Sequence, residues 1–371
     1  MHVLIDARMV SSQNFGISRY VVNLVKNLAK IDKDNKYTIL VQNDFLAGSI
    51  KASNFECIYS QIKWLSVQEQ LLLPFLVKKI NPDIFHATSF VVPRIKVCKN
   101  IITIHDLIHM IFPDQYNLLH RLYYRFIVGP AVRAADQILT VSESSRKDIA
   151  KYFKVPLDKI TATRLSAEEN FKPQSQEAIR GIRDQYRIGE REFILYVGNR
   201  KPHKNLPTLI SAFGLFKKKY KNEYFLALSG EPDEELSRLS KDSGIEDQII
   251  FLGKVKEDDL PAVYSTAEAF VCPSLYEGFG LPVLEAMACG APVITSNISS
   301  LPEVIGDAGI MVDPYSAEDL AEKMREISVN TALAEEMREK GLQRAKLFTW
   351  EKCALQTLKV YTGIVDSQSS I

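Results

Sequence analysis

The densest chemistry in the chain lies in Ser274-Leu-Tyr-Glu-Gly-Phe-Gly-Leu-Pro-Val-Leu-Glu-Ala-Met-Ala-Cys-Gly290, where two carboxylates, Glu277 and Glu285, bracket two glycines and a proline. Pro282 suits a first helical turn and Gly290 a helix end, so the spacing predicts a helix from about Leu281 to about Cys289. Gly278 and Gly280 let backbone approach a ligand closely, and the helix start offers unpaired N–H groups and a partial positive charge. That combination suits a phosphate. The two carboxylates are eight residues apart, about 12 Å along a helix axis, whereas a retaining hydrolase holds its pair at roughly 5 Å. Each is instead placed to accept hydrogen bonds from hydroxyls on either side of the phosphates of one elongated ligand. A sugar nucleotide has that shape.

Other candidates stand elsewhere. His105 directly follows the apolar run Asn100 to Ile104, the end of a strand at which ligands bind in open α/β sheets. Asp106 beside it is suited either to a substrate or to capping its own loop. His86, His109 and His120 have no evident partners and read as structural. Asp32-Lys-Asp34 has the form of a metal-binding Asp-x-Asp, yet it lies in a polar connection before Tyr37, so no metal is expected. Five cysteines form no Cys-x-x-Cys pair, which indicates neither a disulfide framework nor zinc.

These residues need a scaffold. Apolar runs at Met1–Asp6, Tyr37–Val41, Asp83–His86, Asn100–Ile104 and Gln137–Val141 alternate with helical patterns at Tyr20–Leu28, Leu65–Ile80 and Leu118–Ala135. After a polar stretch from Ala167 to Glu192, further apolar runs occur at Phe193–Val197, Tyr224–Ser229, Ile249–Leu252, Ala269–Cys272 and Pro292–Thr295. Helical patterns at Leu206–Lys219 and Leu281–Cys289 separate them. Such alternation predicts parallel α/β sheets. With 371 residues, two domains are expected, residues 1–175 and 185–348, with an amphipathic C-terminal helix within 350–371 free to pack back on the first.

The net charge of +1 gives no global reason to expect nucleic acid. It conceals 24 basic against 16 acidic residues among the first 180 and 22 against 29 in the rest. No apolar run approaches the ~20 residues of a membrane span and no signal peptide is evident, so a cytoplasmic protein is expected. Trp64–Ile80 and His120–Phe126 mix cations with bulky apolar groups in the basic half. That mixture suits either solvated arginines over a core or peripheral contact with an anionic membrane or lipid diphosphate.

Glu277-Gly-Phe-Gly-Leu-Pro-Val-Leu-Glu285 resembles the signature of glycosyltransferase family 4, retaining enzymes of the GT-B fold. Phe15-Gly-Ile-Ser-Arg-Tyr20, Ile104-His-Asp-Leu107, Thr140-Val-Ser-Glu-Ser-Ser145, Tyr196-Val-Gly198 with Lys204-Asn205, Phe251-Leu-Gly253 and Ser299-Ser-Leu-Pro-Glu303 are similar to that family too, in the same order. The resemblance implies two doubly wound Rossmann-like domains facing across a cleft. It places Glu285 on the nucleotide ribose, Glu277 on the donor sugar hydroxyls, and Gly278, Phe279, Gly280 and Leu281 along the donor. Lys204 would neutralise the diphosphate, Gly16 would permit close approach to it, and His105 would sit by the donor sugar. The family often carries paired glycines where this chain has Phe15-Gly16, and an arginine where it has Asn199. Asn199 and Arg200 therefore face the donor, with Arg200 or His203 supplying that charge.

The resemblance further implies a metal-independent reaction, without cofactor, in which the acceptor hydroxyl attacks on the leaving-group face. Ile104–Pro113 and Val293–Glu303 look most like mannosyltransferases of bacterial surface polysaccharides. The expected reaction is transfer of a hexose, best mannose from GDP-mannose, to a glycan or lipid-linked acceptor. UDP-glucose and a UDP-N-acetylhexosamine are the competing donors. A non-catalytic two-domain binding module is the competing class; an oxidoreductase lacks its Gly-x-Gly-x-x-Gly after the first strand.

Overall fold

The structure, a computed structural model, describes residues 1–11, 15–90, 97–116 and 118–366, without the side chains of Phe15, Val67, His120 and Asp366. The reading of His120 as structural thus lies outside the described residues. The chain divides into two compact units, Met1–Leu165 with Thr349–Ile371, and Ser166–Phe348. The polar stretch 167–192 belongs to the second unit, where it forms the helix Gln176–Gln185 capped by Ser175.

Among the described residues the first unit holds seven parallel strands: β1 (His2–Asp6), β2 (Lys36–Val41), β3 (Phe55–Tyr59), β4 (Ile84–Ala87), β5 (Lys99–Ile104), β6 (Gln137–Thr140) and β7 (Ile160–Ala162). Their order is β3-β2-β1-β4-β5-β6-β7. Val3, Leu4 and Ile5 are fully buried, as expected of a central strand with helices on both faces. The second unit holds six: β8 (Phe193–Tyr196), β9 (Phe225–Leu228), β10 (Ile249–Phe251), β11 (Ala269–Cys272), β12 (Val293–Ser296) and β13 (Ile310–Val312), in the order β10-β9-β8-β11-β12-β13. Each sheet is doubly wound, as the alternation predicts. β3, β7 and β13 are short edge strands.

Both orders reverse direction once, between β1 and β4 and between β8 and β11. The loops leaving those strands diverge over the carboxyl edge of the sheet, where open α/β sheets take ligands. In the second unit these are the loops that carry Lys204 and Glu277.

The helix Trp350–Asp366 returns to the first unit and packs along Phe15–Ile31. A hydrogen-bonded chain fixes it there. His86 of β4 is fully buried, with Nδ1 2.6 Å from the Tyr361 hydroxyl and Nε2 2.7 Å from Thr103 Oγ1. Burial and the neighbouring His105 lower its pKa to about 3.

Leu118–Ala135 is not one regular helix. Tyr124–Val128 is a π-helical turn between Leu118–Tyr123 and Gly129–Ala134. Pro130 has no N–H for an α bond one turn back, and the Gly129 N–H instead reaches five residues back to the Tyr124 carbonyl.

Candidate functional site

The helix predicted from about Leu281 to about Cys289 runs Leu281–Ala288, with Pro282 in its first turn. Gly280 precedes it at φ +110° and no side chain caps the N-terminus. A Cβ at Gly280 would lie 2.9 Å from Leu301 Cδ2, so both backbone angle and packing require glycine. Pro282 has no N–H and those of Val283 and Leu284 donate to the Gly280 carbonyl, so the start of the helix presents the Leu281 N–H and the positive end of its dipole.

Lys204 and Glu277 meet beside that helix start. The Lys204 ammonium donates to Glu277 Oε1 at 2.7 Å, and both side chains are largely buried. The Ser274 hydroxyl donates to the same oxygen at 2.7 Å. Two further serines hold the loop: the Ser300 hydroxyl donates to the Glu277 and Phe279 carbonyls at 2.9 and 2.7 Å, and Ser299, at φ +61°, lies with its hydroxyl 2.8 Å from the Glu277 carbonyl.

Lys204 ends a short 3-10 turn, Pro202–Lys204, and Asn205 takes the left-handed conformation at φ +61°. The buried Asn205 amide donates to the Pro273 carbonyl at 3.1 Å and the Pro314 carbonyl at 2.7 Å. It therefore stitches the loops after β8, β11 and β13 together and sets the root of the Lys204 side chain. Asn205, Ser274, Ser299 and Ser300 carry no chemistry that spacing alone would single out. All four lie in motifs noted for their neighbours.

Glu285 lies on the second turn of the same helix, 4% exposed, and accepts from the Tyr264 hydroxyl at 3.2 Å. Tyr264 is a second residue that the sequence leaves unmarked. Phe279 is buried and packs edge-on against Phe348, so this part of the loop offers a ligand its backbone rather than its ring. Burial pushes the Cys272 thiol up to about 11, which keeps it protonated beside Ser274.

The loop after β8 is divided in its allegiance. Asn199 is exposed, and its side chain accepts from the Lys201 N–H at 3.1 Å. Arg200 turns to Asp233, the N-cap of Glu234–Asp242, at 2.6 Å. His203 is buried beneath the loop, its carbonyl accepting from the Leu275 N–H at 2.7 Å. Of the two cations offered in place of an arginine at position 199, Arg200 is committed to a carboxylate and His203 to the interior.

Gly16 and His105 belong to the first unit. Gly16 is exposed at the start of Phe15–Ile31, and among the described residues a Cβ there would meet nothing within 4 Å. His105 follows β5, with Nε2 2.9 Å from the Thr88 carbonyl and its ring edge-on to Tyr20 at 4.8 Å. A carbonyl only accepts, so Nε2 carries the proton and Nδ1 is left as an acceptor. Burial lowers the His105 pKa, which favours that neutral form.

Thr88 in turn donates to the Asp6 carbonyl at 2.5 Å, tying His105 to the end of β1. There a fully buried Arg8 forks onto Asp6, with Nε and Nη2 donating at 2.8 and 2.7 Å, and pairs with Glu69. This cluster is absent from the sequence reading, because Glu69 lies 61 residues away. Asp106 caps its own loop, accepting from the Ile108 N–H at 3.0 Å. His109 packs among Tyr116, Tyr124 and Phe90. Asp32 accepts from the Tyr37 hydroxyl and from Asn35, the role of a turn organiser.

Comparison with known proteins follows the same division. The family described as Glycosyltransferase Family 4 matches residues 16–163 and that described as Glycosyl transferases group 1 matches 179–344. O-antigen chain mannosyltransferase B of Escherichia coli is 32% identical, over 93% of this chain and 95% of that protein. Serotype-specific mannosyltransferase WbdA of Escherichia coli is also 32% identical, over 99% of this chain and 48% of that protein, so this chain spans about half its length. Among solved structures, Anabaena Alr3699/HepE in complex with UDP and glucose is similar, with a TM-score of 0.77 at 17% identity, over 98% of this chain and 100% of that one.

Proposed function

The chain belongs to the group 1, family 4 glycosyltransferases, and from that premise we propose that it moves mannose from GDP-mannose, with retention of configuration, onto a glycan acceptor of a bacterial surface polysaccharide. The observation that carries the reading is the Lys204–Glu277 pair beside the uncapped start of Leu281–Ala288, with Glu285 one turn further along the same helix.

The diphosphate of a sugar nucleotide brings two negative charges to a helix N-terminus and an ammonium already in place. The developing charge on the departing diphosphate is stabilised by groups that need no reorganisation. As the phosphates draw on Lys204, Glu277 keeps its Ser274 hydrogen bond and presents its second oxygen to the donor hexose hydroxyls. Glu285 accepts from the ribose hydroxyls, steadied by Tyr264. Gly278, Phe279, Gly280 and Leu281 line the donor through their backbone, with Asn199 and Gly16 beside it; Arg200 holds the loop through Asp233. Neutral His105 offers Nδ1 to a donor hydroxyl. The acceptor oxygen attacks on the face the diphosphate leaves, and a diphosphate oxygen takes its proton, so no metal or cofactor is required.

The mannosyl choice is supported by the names of the relatives at 32% identity. The test is release of nucleoside diphosphate from GDP-mannose, UDP-glucose and UDP-N-acetylglucosamine, with and without mannan oligosaccharides, and the product anomer read by NMR. Turnover of GDP-mannose to an α-linked product is expected. Turnover of the UDP sugars alone would reassign the donor, and binding without turnover would favour a non-catalytic module.

A further inference from the structure

One face of the first unit carries a surface that the transfer reaction does not use. The helix Val67–Ile80 and the segment Leu118–Ala134 bury Leu73, Val77, Tyr124 and Val128 in the same core, so both cover the same face of the sheet. Their outward sides expose Leu71, Leu72 and Phe75, and Leu118, Leu119, Leu122 and Phe126, by 39–75%. Apolar side chains in such number on two helices of one layer mark a contact surface rather than scattered exposure.

Beside the second group lies a cavity of about 600 Å³. Arg121, Arg125 and Arg133 line it, together with Tyr124, Phe126 and Tyr152, and no acidic side chain does. Among the described residues none of the three arginines forms an ion pair. The π-helical turn passes through this wall, and Gly129, which also lines the cavity, has so little room that a Cβ would come within 3.3 Å of the Tyr124 carbonyl. The cavity is large enough for a phosphate-bearing head group, and three guanidinium forks suit phosphate oxygens.

Cations over exposed leucine and phenylalanine match the two layers of a membrane surface, phosphate outside and hydrocarbon within. We propose that this face docks on an anionic phospholipid bilayer, with one head-group phosphate held in the arginine cavity and the exposed apolar side chains resting at the acyl boundary. No described helix is long and apolar enough to cross a membrane, so attachment is at the surface.

The test is co-sedimentation of the full chain with phosphatidylcholine vesicles and with vesicles containing phosphatidylglycerol, at low and high salt. Binding to the acidic vesicles only, weakened by salt, is expected. Arg121→Gln, Arg125→Gln and Arg133→Gln together should weaken it about a hundredfold, at about fivefold per charge. Leu119→Ser with Leu122→Ser should weaken it with the cavity intact, while both variants keep the wild-type melting temperature and transfer to a water-soluble acceptor.

Equal binding to neutral vesicles, or wild-type binding by the triple variant, would overturn the proposal. So would inorganic phosphate binding the cavity while acidic vesicles do not, or self-association abolished by the same substitutions. Vesicle binding is read without donor or acceptor, so its failure leaves the assignment of the transfer reaction untouched.

Discussion

Glu277 Oε1 receives the Lys204 ammonium at 2.7 Å across 73 residues of chain, joining the loops that leave β8 and β11. The pair forms because those strands are neighbours at the point where the sheet reverses its winding order. Removing the ammonium leaves a largely buried carboxylate with a serine hydroxyl and no cation. Lys204→Met should therefore lower kcat by about 10²–10³, the cost of losing one preorganised stabiliser of developing charge. Single-turnover kinetics with saturating donor would check it.

Glu285 lies apart from the departing charge, and its loss should be felt in binding. Glu285→Gln is expected to raise the donor Kd about 10–100-fold, as for a lost hydrogen bond to a charged acceptor, with kcat changed much less. Tyr264→Phe should weaken binding in the same direction by a smaller factor. Calorimetric titration with the free nucleoside diphosphate separates the two effects.

His105 should behave in the opposite way. Its Nε2–H is held by the Thr88 carbonyl and burial lowers its pKa, so the ring stays neutral through the neutral range. The pH profile of kcat/KM should show no acid limb near 6.5 attributable to this ring. His105→Ala should cut kcat far more than it changes donor affinity.

Asn205 is buried and bonds two carbonyls that otherwise lack this donor. Asn205→Ala should destabilise the fold by about 2–4 kcal/mol and raise the donor KM, since the root of Lys204 shifts with it. Urea unfolding and steady-state kinetics on one preparation test both halves.

Acid should weaken the first unit through His86. The unfolded chain takes up a proton near pH 6.5 that the folded ring refuses until about pH 3. The resulting stability is fully present above pH 6.5 and is lost on acidification, by about 1.4 kcal/mol per pH unit across that window. The stability difference between wild type and His86→Gln, measured by urea unfolding from pH 7.5 to pH 5, should fall with that slope.

The main elements were legible because central parallel strands are continuous apolar runs and their helices are periodic. The residues that make the site rigid were much less so. Lys204 and Glu277 could be named from motifs, but their contact depends on strand order, which no local pattern records. Asn205 and Tyr264 act through hydrogen bonds whose partners are backbone carbonyls or a distant carboxylate, invisible until the loops are folded. The edge strands β3, β7 and β13 escaped for another reason: at three to five residues and partly exposed, they are too short to stand out as buried apolar runs. The helical stretch expected from Leu118 continues to Ala134, but Pro130, with no N–H to donate, diverts the turn Tyr124–Val128 into π geometry that the apolar periodicity does not record.

Because Tyr361 closes the hydrogen-bonded core around His86, the first unit is assembled from segments on either side of the second. During synthesis, residues 166–348 can reach their native contacts while the first 165 still wait for the helix that completes them. The unit whose synthesis starts first within this chain is thus the one that finishes last, and deleting Trp350–Asp366 should unravel the opening strands while sparing the loops that carry Lys204 and Glu277.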